Sequence, residues 1–265
     1  MSATPSRYRD RDTTTRYRDG VEGYDDTTYG RAFADVYDEW YEHLDDIDSV
    51  VKFVVNLADS QPVLELGVGT GRLAIPLARH VPVTGVDNSP SMVVRLLARP
   101  DVDPRLTVTV GHMVRDMPRG PFAVVLIAYN TLFNLLSADE QRACLAEASK
   151  RLMVGGHVIV DAFVPSDELA DSPTLDEQLH RGDRLVDSHS RVDTRRQLIH
   201  GSFIDDSGRS RTWQVRYASP DEIDEMAHAA GLTLESRFSS YACEPFTEES
   251  SRHISVYGRT PEHTA

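Results

Sequence analysis

A glycine-rich stretch is the strongest chemical signal in this sequence of 265 residues. It spans residues 63–71 and reads Val-Leu-Glu-Leu-Gly-Val-Gly-Thr-Gly. Because glycine has no Cβ atom, the backbone of such a turn can bend sharply and approach a ligand closely. Turns of this kind at the carboxyl ends of strands are where open α/β sheets bind ligands. The stretch therefore predicts a ligand-binding turn between a strand and a helix.

The spacing of the glycines separates two classes of ligand. Dinucleotide-binding turns use G-x-G-x-x-G, whereas this turn carries Gly67, Gly69 and Gly71, and Arg72 stands where the third dinucleotide glycine would be. An arginine there would obstruct the close packing of helix on strand that a nicotinamide enzyme needs. With Glu65 in front, the stretch resembles motif I of class I S-adenosylmethionine-dependent methyltransferases, E/D-x-G-x-G-x-G. The resemblance extends over residues 61–163 and implies S-adenosyl-L-methionine as the cofactor of this site. It assigns five residues of the turn to the cofactor: Glu65, Gly67, Gly69, Gly71 and Arg72.

A carboxylate ends the next apolar segment of the sequence. Asp87 follows Val-Thr-Gly-Val, and a carboxylate at this position accepts hydrogen bonds from ribose hydroxyls. This residue alone does not separate the two cofactor classes, because both contain a ribose. The resemblance further implies that Asn88 and Met92 flank the adenine ring.

Two later loops are expected to complete the cofactor site. Family members often carry Gly-Asp-Met after the third strand, where this chain has His112 and Met113 after a glycine. We expect the neutral imidazole of His112 to accept a hydrogen bond from the adenine amino group. The segment after the fourth strand passes the methionine part of the cofactor in the family. Tyr129 and Asn130 occupy that segment here, and Asn130 could equally cap its own turn.

Aromatic residues recur at spacings of three and four in residues 29–43, which predicts one helix with an aromatic face. This helix resembles the N-terminal helix that covers the cofactor in the family, and a sulfonium cation favours aromatic faces. Packing in a core is the alternative for any single ring. The aromatic residues are Tyr29, Phe33, Tyr37, Trp40 and Tyr41, of which we assign Tyr29, Tyr37 and Trp40 to the cofactor site.

The elements that must position these residues alternate between strand and helix. An uninterrupted apolar run at 122–128 is typical of a central parallel strand buried on both faces. The alternation predicts an α/β fold, a Rossmann-like, doubly wound, mostly parallel sheet of seven strands. The first five predicted strands are residues 62–66, 81–86, 106–110, 122–128 and 157–163, and a closing hairpin is predicted at 232–241 and 254–259.

Helix signals separate these strands. Serine caps with proline or glutamate behind them predict helix starts at Ser89, Ser137 and Ser219. The predicted helices span residues 48–58 and 72–80, begin after Ser89, run from Ser137 through Leu152 to a stop at Gly155-Gly156, and run from Ser219 to before Gly231.

The pattern changes after the fifth strand. Short alternating stretches from about residue 184 to residue 217, with a turn at 206–208, predict an antiparallel ribbon. We therefore divide the chain into a cofactor-binding domain, residues 29–164 and 218–260, and an antiparallel insertion, residues 165–217, that roofs the active site. Trp213, Arg216 and Tyr217 lie on this roof in the prediction.

Composition excludes some classes of function. Residues 1–28 contain a repeated Arg-Tyr-Arg-Asp and little apolar surface, which predicts a disordered tail. The tail has no signal-peptide core and no apolar run is long enough to span a membrane, so we expect a cytoplasmic protein.

The formal net charge of −14 argues against nucleic acid as a partner. Two cysteines without zinc-ligand spacing predict no metal site, and a homodimer stays open.

The layout resembles small-molecule methyltransferases of bacterial secondary metabolism, including amino-sugar N-methyltransferases. It implies N- or O-methylation of a small molecule by in-line SN2 displacement, in which the enzyme mainly supplies positioning. The sugar enzymes carry S-S-x-G-H after the fourth strand, whereas residues 131–134 here contain no histidine. A phenol or alcohol acceptor would need a base, for which the candidates are His189, His200 and Asp161.

Two other functions remain compatible with the sequence. One is a protein that binds the cofactor without catalysis, because an intact binding motif does not establish chemistry. The other is a NAD-dependent oxidoreductase, which the spacing of Gly67, Gly69 and Gly71 opposes.

Overall fold

The structure is a computed structural model, and it describes residues 23–25, 27–41, 46–166, 169 and 174–259. Most of the predicted tail, residues 1–22, and the end of the predicted aromatic helix, residues 42–43, lie outside the described residues. The boundary of the tail at residue 28 is too late, because the Tyr24 hydroxyl accepts a hydrogen bond from the Gln214 N–H at 3.1 Å and a helix begins at Thr28.

Eleven strands among the described residues form two sheets. The main sheet contains β1 (Val63–Leu66), β2 (Val83–Asp87), β3 (Leu106–Val110), β4 (Phe122–Ile127), β5 (Leu152–Phe163), β10 (Leu232–Phe238) and β11 (Arg252–Arg259). The insertion sheet contains β6 (Thr174–Arg181), β7 (Arg184–Asp193), β8 (Leu198–Ile204) and β9 (Ser210–Arg216).

The main sheet has the order β10-β11-β5-β4-β1-β2-β3. Only β11 runs antiparallel to its neighbours within this sheet, and β1 pairs in parallel with β2 and β4. Every residue of β1 and β4 is buried, as the uninterrupted apolar run at 122–128 predicted. The seven-stranded, mostly parallel, Rossmann-like fold is therefore confirmed.

Helices cover both faces of the main sheet, and apolar side chains fill the two layers between. The serine side chains at 89, 137 and 219 accept hydrogen bonds from backbone N–H groups three residues later, as the caps predicted. The helices are α1 (Thr28–Phe33), α2 (Tyr37–Trp40), α3 (Ile47–Ala58), α4 (Ala74–Ala78), α5 (Pro90–Leu97), α6 (Ala138–Arg151) and α7 (Pro220–Ala229).

Two predicted boundaries are wrong. The single aromatic helix is divided into α1 and α2 by a turn at 34–36, because Asp35 forms ion pairs with Arg209 and Arg211. Helix α6 ends at Arg151, one residue before its predicted end, but the glycine pair does not stop it, because β5 begins at Leu152 and not at residue 157. The glycine pair lies inside β5, where the pairing with β4 shifts register.

The insertion sheet is antiparallel throughout, in the order β6-β7-β8-β9. The sequence interpretation placed its first strand at residue 184, but β6 begins at Thr174. Strand β6 was missed because it carries consecutive charged and polar side chains, most of them exposed, instead of an apolar alternation. Among the helices that the structure describes, none combines the length and apolarity needed to cross a membrane.

Candidate functional site

A cavity of about 620 Å³ lies where the carboxyl ends of β1, β2 and β4 meet α1, α2 and the insertion sheet. Its walls therefore come from three parts of the chain that are distant in sequence. Most of the predicted cofactor residues line it: Tyr29, Tyr37, Gly67, Gly69, Asp87, Asn88, Met92, His112, Met113, Tyr129 and Asn130.

The turn after β1 has the backbone geometry that glycine permits. Gly67 has φ +70°, and a Cβ atom built on it would lie 2.6 Å from the Thr131 side chain. Gly71 has φ +82° but does not line the cavity. A Cβ atom on Gly71 would lie 2.8 Å from the Leu96 side chain, so this glycine allows close packing of the turn on α5. Its assignment to the cofactor site is corrected accordingly.

Asp87 joins this turn to the start of α5. One carboxylate oxygen accepts a hydrogen bond from Gly69 N–H at 2.9 Å, and the other accepts one from Ser89 N–H at 2.8 Å. Burial raises the pKa of Asp87, while these two hydrogen bonds oppose the rise. Each oxygen keeps capacity for a further hydrogen bond, and the carboxylate faces the cavity.

A second, smaller cavity of about 30 Å³ adjoins the first behind Gly67 and Gly69. Glu65 Oε2 and Arg72 Nη2 are buried at its walls, and neither atom has a hydrogen-bond partner among the described residues. Burial raises the pKa of Glu65 to about 8, against the opposing charge of Arg72. Two unsatisfied groups of opposite polarity at one cavity are available to water or to a ligand with complementary groups.

The three tyrosines of the predicted aromatic helix line the large cavity: Tyr29, Tyr37 and Tyr41. Burial raises the pKa of all three phenols, so they stay protonated at neutral pH. Trp40 was assigned to the cofactor site but does not line it. Its ring packs edge-on against Phe33 at 6.1 Å and Phe203 at 5.8 Å, between ring centroids. Trp40 therefore joins the N-terminal helices to the insertion sheet.

His112 has a defined tautomer. Its Nδ1 accepts a hydrogen bond from Val114 N–H at 3.1 Å, so the neutral ring carries its proton on Nε2. A ring in this state donates from Nε2 and cannot accept a hydrogen bond from an adenine amino group. This geometry argues against the predicted acceptor role of His112.

The three candidate bases do not converge on the cavity. His189 is exposed and pairs with Asp176 at 2.8 Å, and His200 is buried in β8; neither lines the cavity. Burial lowers the pKa of His200, so its ring is neutral.

Asp161 does line the cavity, but its carboxylate is already engaged. It accepts two hydrogen bonds from Arg252, each at 2.7 Å, one from the Tyr241 hydroxyl at 3.2 Å and one from Tyr129 N–H at 3.1 Å. These four hydrogen bonds, two of them from one guanidinium, occupy the carboxylate and leave it little capacity to bind a group of the acceptor.

Asn130 performs the turn role that the sequence left open. Its Oδ1 accepts a hydrogen bond from Phe163 N–H at 2.7 Å and so ties the ends of β4 and β5 together. Arg216 of the predicted roof is also engaged away from the cavity, with Gln141 and Glu222 each at 2.6 Å, and Tyr217 does not line the cavity.

Sequence reasoning missed several cavity residues. No local motif marks them, because they come from the N-terminal segment, the 3-10 helix Thr131–Asn134, α6 and strands of both sheets, which the tertiary fold brings together. They are Tyr24, Thr131, Asn134, Glu140, Phe163, Arg181, Phe203, Val215 and Arg252.

Comparison with known proteins agrees with this architecture. Residues 63–156 match the family described as a methyltransferase domain. The chain is 30% identical over 210 residues to the cypemycin N-terminal methyltransferase of a Streptomyces species, covering 76% of this chain and 84% of that protein.

Solved structures also resemble the whole chain. The CcbJ methyltransferase of Streptomyces caelestis is 34% identical, with a TM-score of 0.79 over 89% of this chain and 100% of that chain. The S-adenosylmethionine-bound amino pentose methyltransferase CalS10 of Micromonospora echinaspora shares the fold at 20% identity, with a TM-score of 0.65 over 85% and 97% of the two chains. With its glycine turn, its sheet order and these relatives, the chain belongs to the S-adenosylmethionine-dependent methyltransferases.

Proposed function

We propose that this enzyme methylates an amino group of a small-molecule acceptor in bacterial secondary metabolism. The observation that carries the proposal is the engaged state of Asp161, the acidic candidate base that faces the cavity. A relative named as an N-terminal methyltransferase, at 30% identity, supports the same acceptor group.

The cofactor residues fit S-adenosylmethionine, which supplies an activated methyl group on a sulfonium when bound. Its methionine part carries an ammonium and a carboxylate. Glu65 Oε2 and Arg72 Nη2 are the buried, unsatisfied acceptor and donor at one cavity, and they match these two groups in charge. Asp87 is proposed to hold the ribose hydroxyls, and Asn88, Met92, His112 and Met113 the adenine.

The acceptor atom can be inferred from the ionisable groups at the cavity that were considered as bases. A phenol or alcohol needs a base to become a good nucleophile, whereas an amine needs only to arrive neutral. The buried tyrosines Tyr29, Tyr37 and Tyr41 stay protonated, because burial raises the pKa of each phenol. Asp161 is bound to Arg252. None of these four groups is placed to withdraw a proton from the acceptor, which favours nitrogen over oxygen.

The proposed domain division assigns these tasks to separate regions. Residues 29–164 and 218–260 hold the cofactor, and the insertion, residues 165–217, closes the cavity above it with Phe203 and Trp213. Closing this space excludes water from the transferred methyl group.

Matched acceptors test the proposal. The enzyme is incubated with methyl-labelled S-adenosylmethionine and with 2-phenylethylamine, 2-phenylethanol, 4-ethylphenol or tyramine, and products are identified by mass spectrometry. We expect S-adenosylhomocysteine and N-methylated product from the two amines, with no methyl ether from tyramine. Label on oxygen, or no turnover with any amine in a broad panel despite cofactor binding, would contradict it.

A further inference from the structure

An arginine of the insertion sheet lines the cavity and has no partner for its charge among the residues that the structure describes. Arg181 ends β6, and its guanidinium carbon lies 5.2 Å from the ring centroid of Phe203 and 5.8 Å from that of Tyr41. Its Nε atom is buried and has no hydrogen-bond partner within the described ranges. A buried N–H donor of a cation that has no acceptor costs free energy, so the position favours a ligand that supplies one.

Several other arginines around the cavity and the insertion sheet have carboxylate partners. Arg252 is held by Asp161, Arg184 pairs with Glu39 at 3.1 Å, and Arg211 pairs with Asp35 at 2.6 Å. Arg181 forms no ion pair with any carboxylate in the described part of the chain, although acidic residues outnumber basic ones 42 to 28 in the sequence.

The geometry of Arg181 suits one class of anion. The guanidinium carbon lies over two aromatic rings, those of Phe203 and Tyr41. The edge of arginine that carries Nε can bind a carboxylate through two parallel hydrogen bonds. The neighbouring walls formed by Phe203 and Trp213 are apolar and stack at a centroid distance of 6.0 Å.

We propose that Arg181 binds a carboxylate of the methyl acceptor, so that the acceptor is an amino acid-like molecule with an amine, an aromatic or apolar body and a carboxylate. This inference rests on the proposed function, since it concerns the acceptor of the same site. Arg181 then selects the acceptor and is not part of the cofactor site.

Binding to the cofactor-product complex tests the proposal without requiring turnover. The enzyme saturated with S-adenosylhomocysteine is titrated by calorimetry with L-phenylalanine, L-tyrosine, L-tryptophan and their N-glycyl dipeptides, each beside its carboxamide. We expect at least one acid to bind about tenfold or more tightly than its amide. Arg181→Gln removes this preference, and Arg181→Lys restores part of it.

Arg191→Gln is the matched control, because it removes an exposed arginine from the neighbouring strand of the same sheet. It should leave the acid preference and the affinity for S-adenosylhomocysteine unchanged. The proposal is overturned if no acid binds more tightly than its amide, or if the preference survives Arg181→Gln. It is also overturned if Arg181→Gln weakens S-adenosylhomocysteine binding as much as acid binding, because Arg181 would then serve the cofactor. All three outcomes are independent of whether amines or hydroxyls are methylated.

Discussion

The floor and the roof of the cavity are built in different ways. The floor, residues 63–72 and 87–92, is made of turns that follow adjacent parallel strands, and backbone hydrogen bonds such as Gly67 N–H to Val86 C=O at 2.8 Å hold it. The roof is the insertion sheet, whose side chains reach the cavity, and ion pairs attach it to the N-terminal helices. Local sequence therefore determines the structure of the floor, while long-range side-chain pairs determine the structure of the roof.

Glycine substitution gives the largest expected contrast between floor and roof. Gly71 and Gly208 both have positive φ, but a Cβ atom meets Leu96 at Gly71 and open space at Gly208. Gly208→Ala should cost about 1–2 kcal/mol of unfolding free energy from backbone strain alone. In Gly71→Ala the new Cβ atom also overpacks against Leu96, so the loss of unfolding free energy should be roughly 2–5 kcal/mol. Urea unfolding of both variants measures the difference, and equal losses would show that the floor turn is no more tightly packed than the roof turn.

Two aspartates with similar turn hydrogen bonds test where the cofactor binds. Asp87 in the floor and Asp205 in the roof each accept from two backbone N–H groups, but Asp87 alone of the pair faces the cavity. Asp87→Ala should weaken S-adenosylhomocysteine binding by roughly 1.5–3 kcal/mol, because hydrogen bonds to a charged acceptor are lost. Asp205→Ala should leave it unchanged in calorimetry. Unchanged binding by a folded Asp87→Ala variant would refute the ribose role.

Binding of the cofactor should release a proton from Glu65. The pKa of Glu65 is about 8 in the free protein, and an ammonium placed beside the carboxylate lowers it. Affinity for S-adenosylhomocysteine should therefore rise with pH up to about 8 and then level off. Calorimetry at pH 7 in buffers of different ionisation enthalpy should show release of up to about one proton per site. Glu65→Gln should abolish this release; its persistence in the variant would place the source elsewhere.

The smallest expected effect concerns the attachment of the N-terminal helices to the roof. Asp35 pairs with Arg209 and the buried Arg211, whereas Asp25 pairs with Arg31 within the N-terminal segment. Asp35→Asn should weaken S-adenosylhomocysteine binding about two- to fivefold, as expected for loss of a partly exposed ion pair. Hydrogen exchange over residues 28–41 should rise in that variant. Asp25→Asn is the control. If both variants weakened S-adenosylhomocysteine binding equally, loss of the attachment to the roof would not be the cause of the weaker binding.

The floor could be predicted from sequence because each of its signals is local. The apolar run of β4, the cap at Ser89 and the spacing of Gly67, Gly69 and Gly71 each specify their own structure within a few residues. The positions of Asp87 and Asn88 then follow, because parallel strands end at one edge of the sheet.

The roof and the N-terminal helices could be predicted only in outline. Helical spacing across residues 29–41 gives no sign that Asp35 meets two arginines more than 170 residues later in the chain. These ion pairs hold the turn around Asp35 that divides α1 from α2. Strand β6 lacks an apolar alternation, so its terminal Arg181 could not be placed at the cavity. The pairing of Asp161 with Arg252 likewise depends on β5 and β11 being neighbours in the sheet.

A crystal structure of the enzyme with S-adenosylhomocysteine tests the division of the cavity most directly. The account predicts that the ligand carboxylate bonds to the Arg72 guanidinium, its ammonium to Glu65 and its ribose hydroxyls to Asp87. The space beside Arg181, Phe203 and Trp213 should remain open for an acceptor. A ligand carboxylate on Arg181, with Glu65 and Arg72 still unsatisfied, would contradict the assignment of the floor to the cofactor and of the roof to the acceptor.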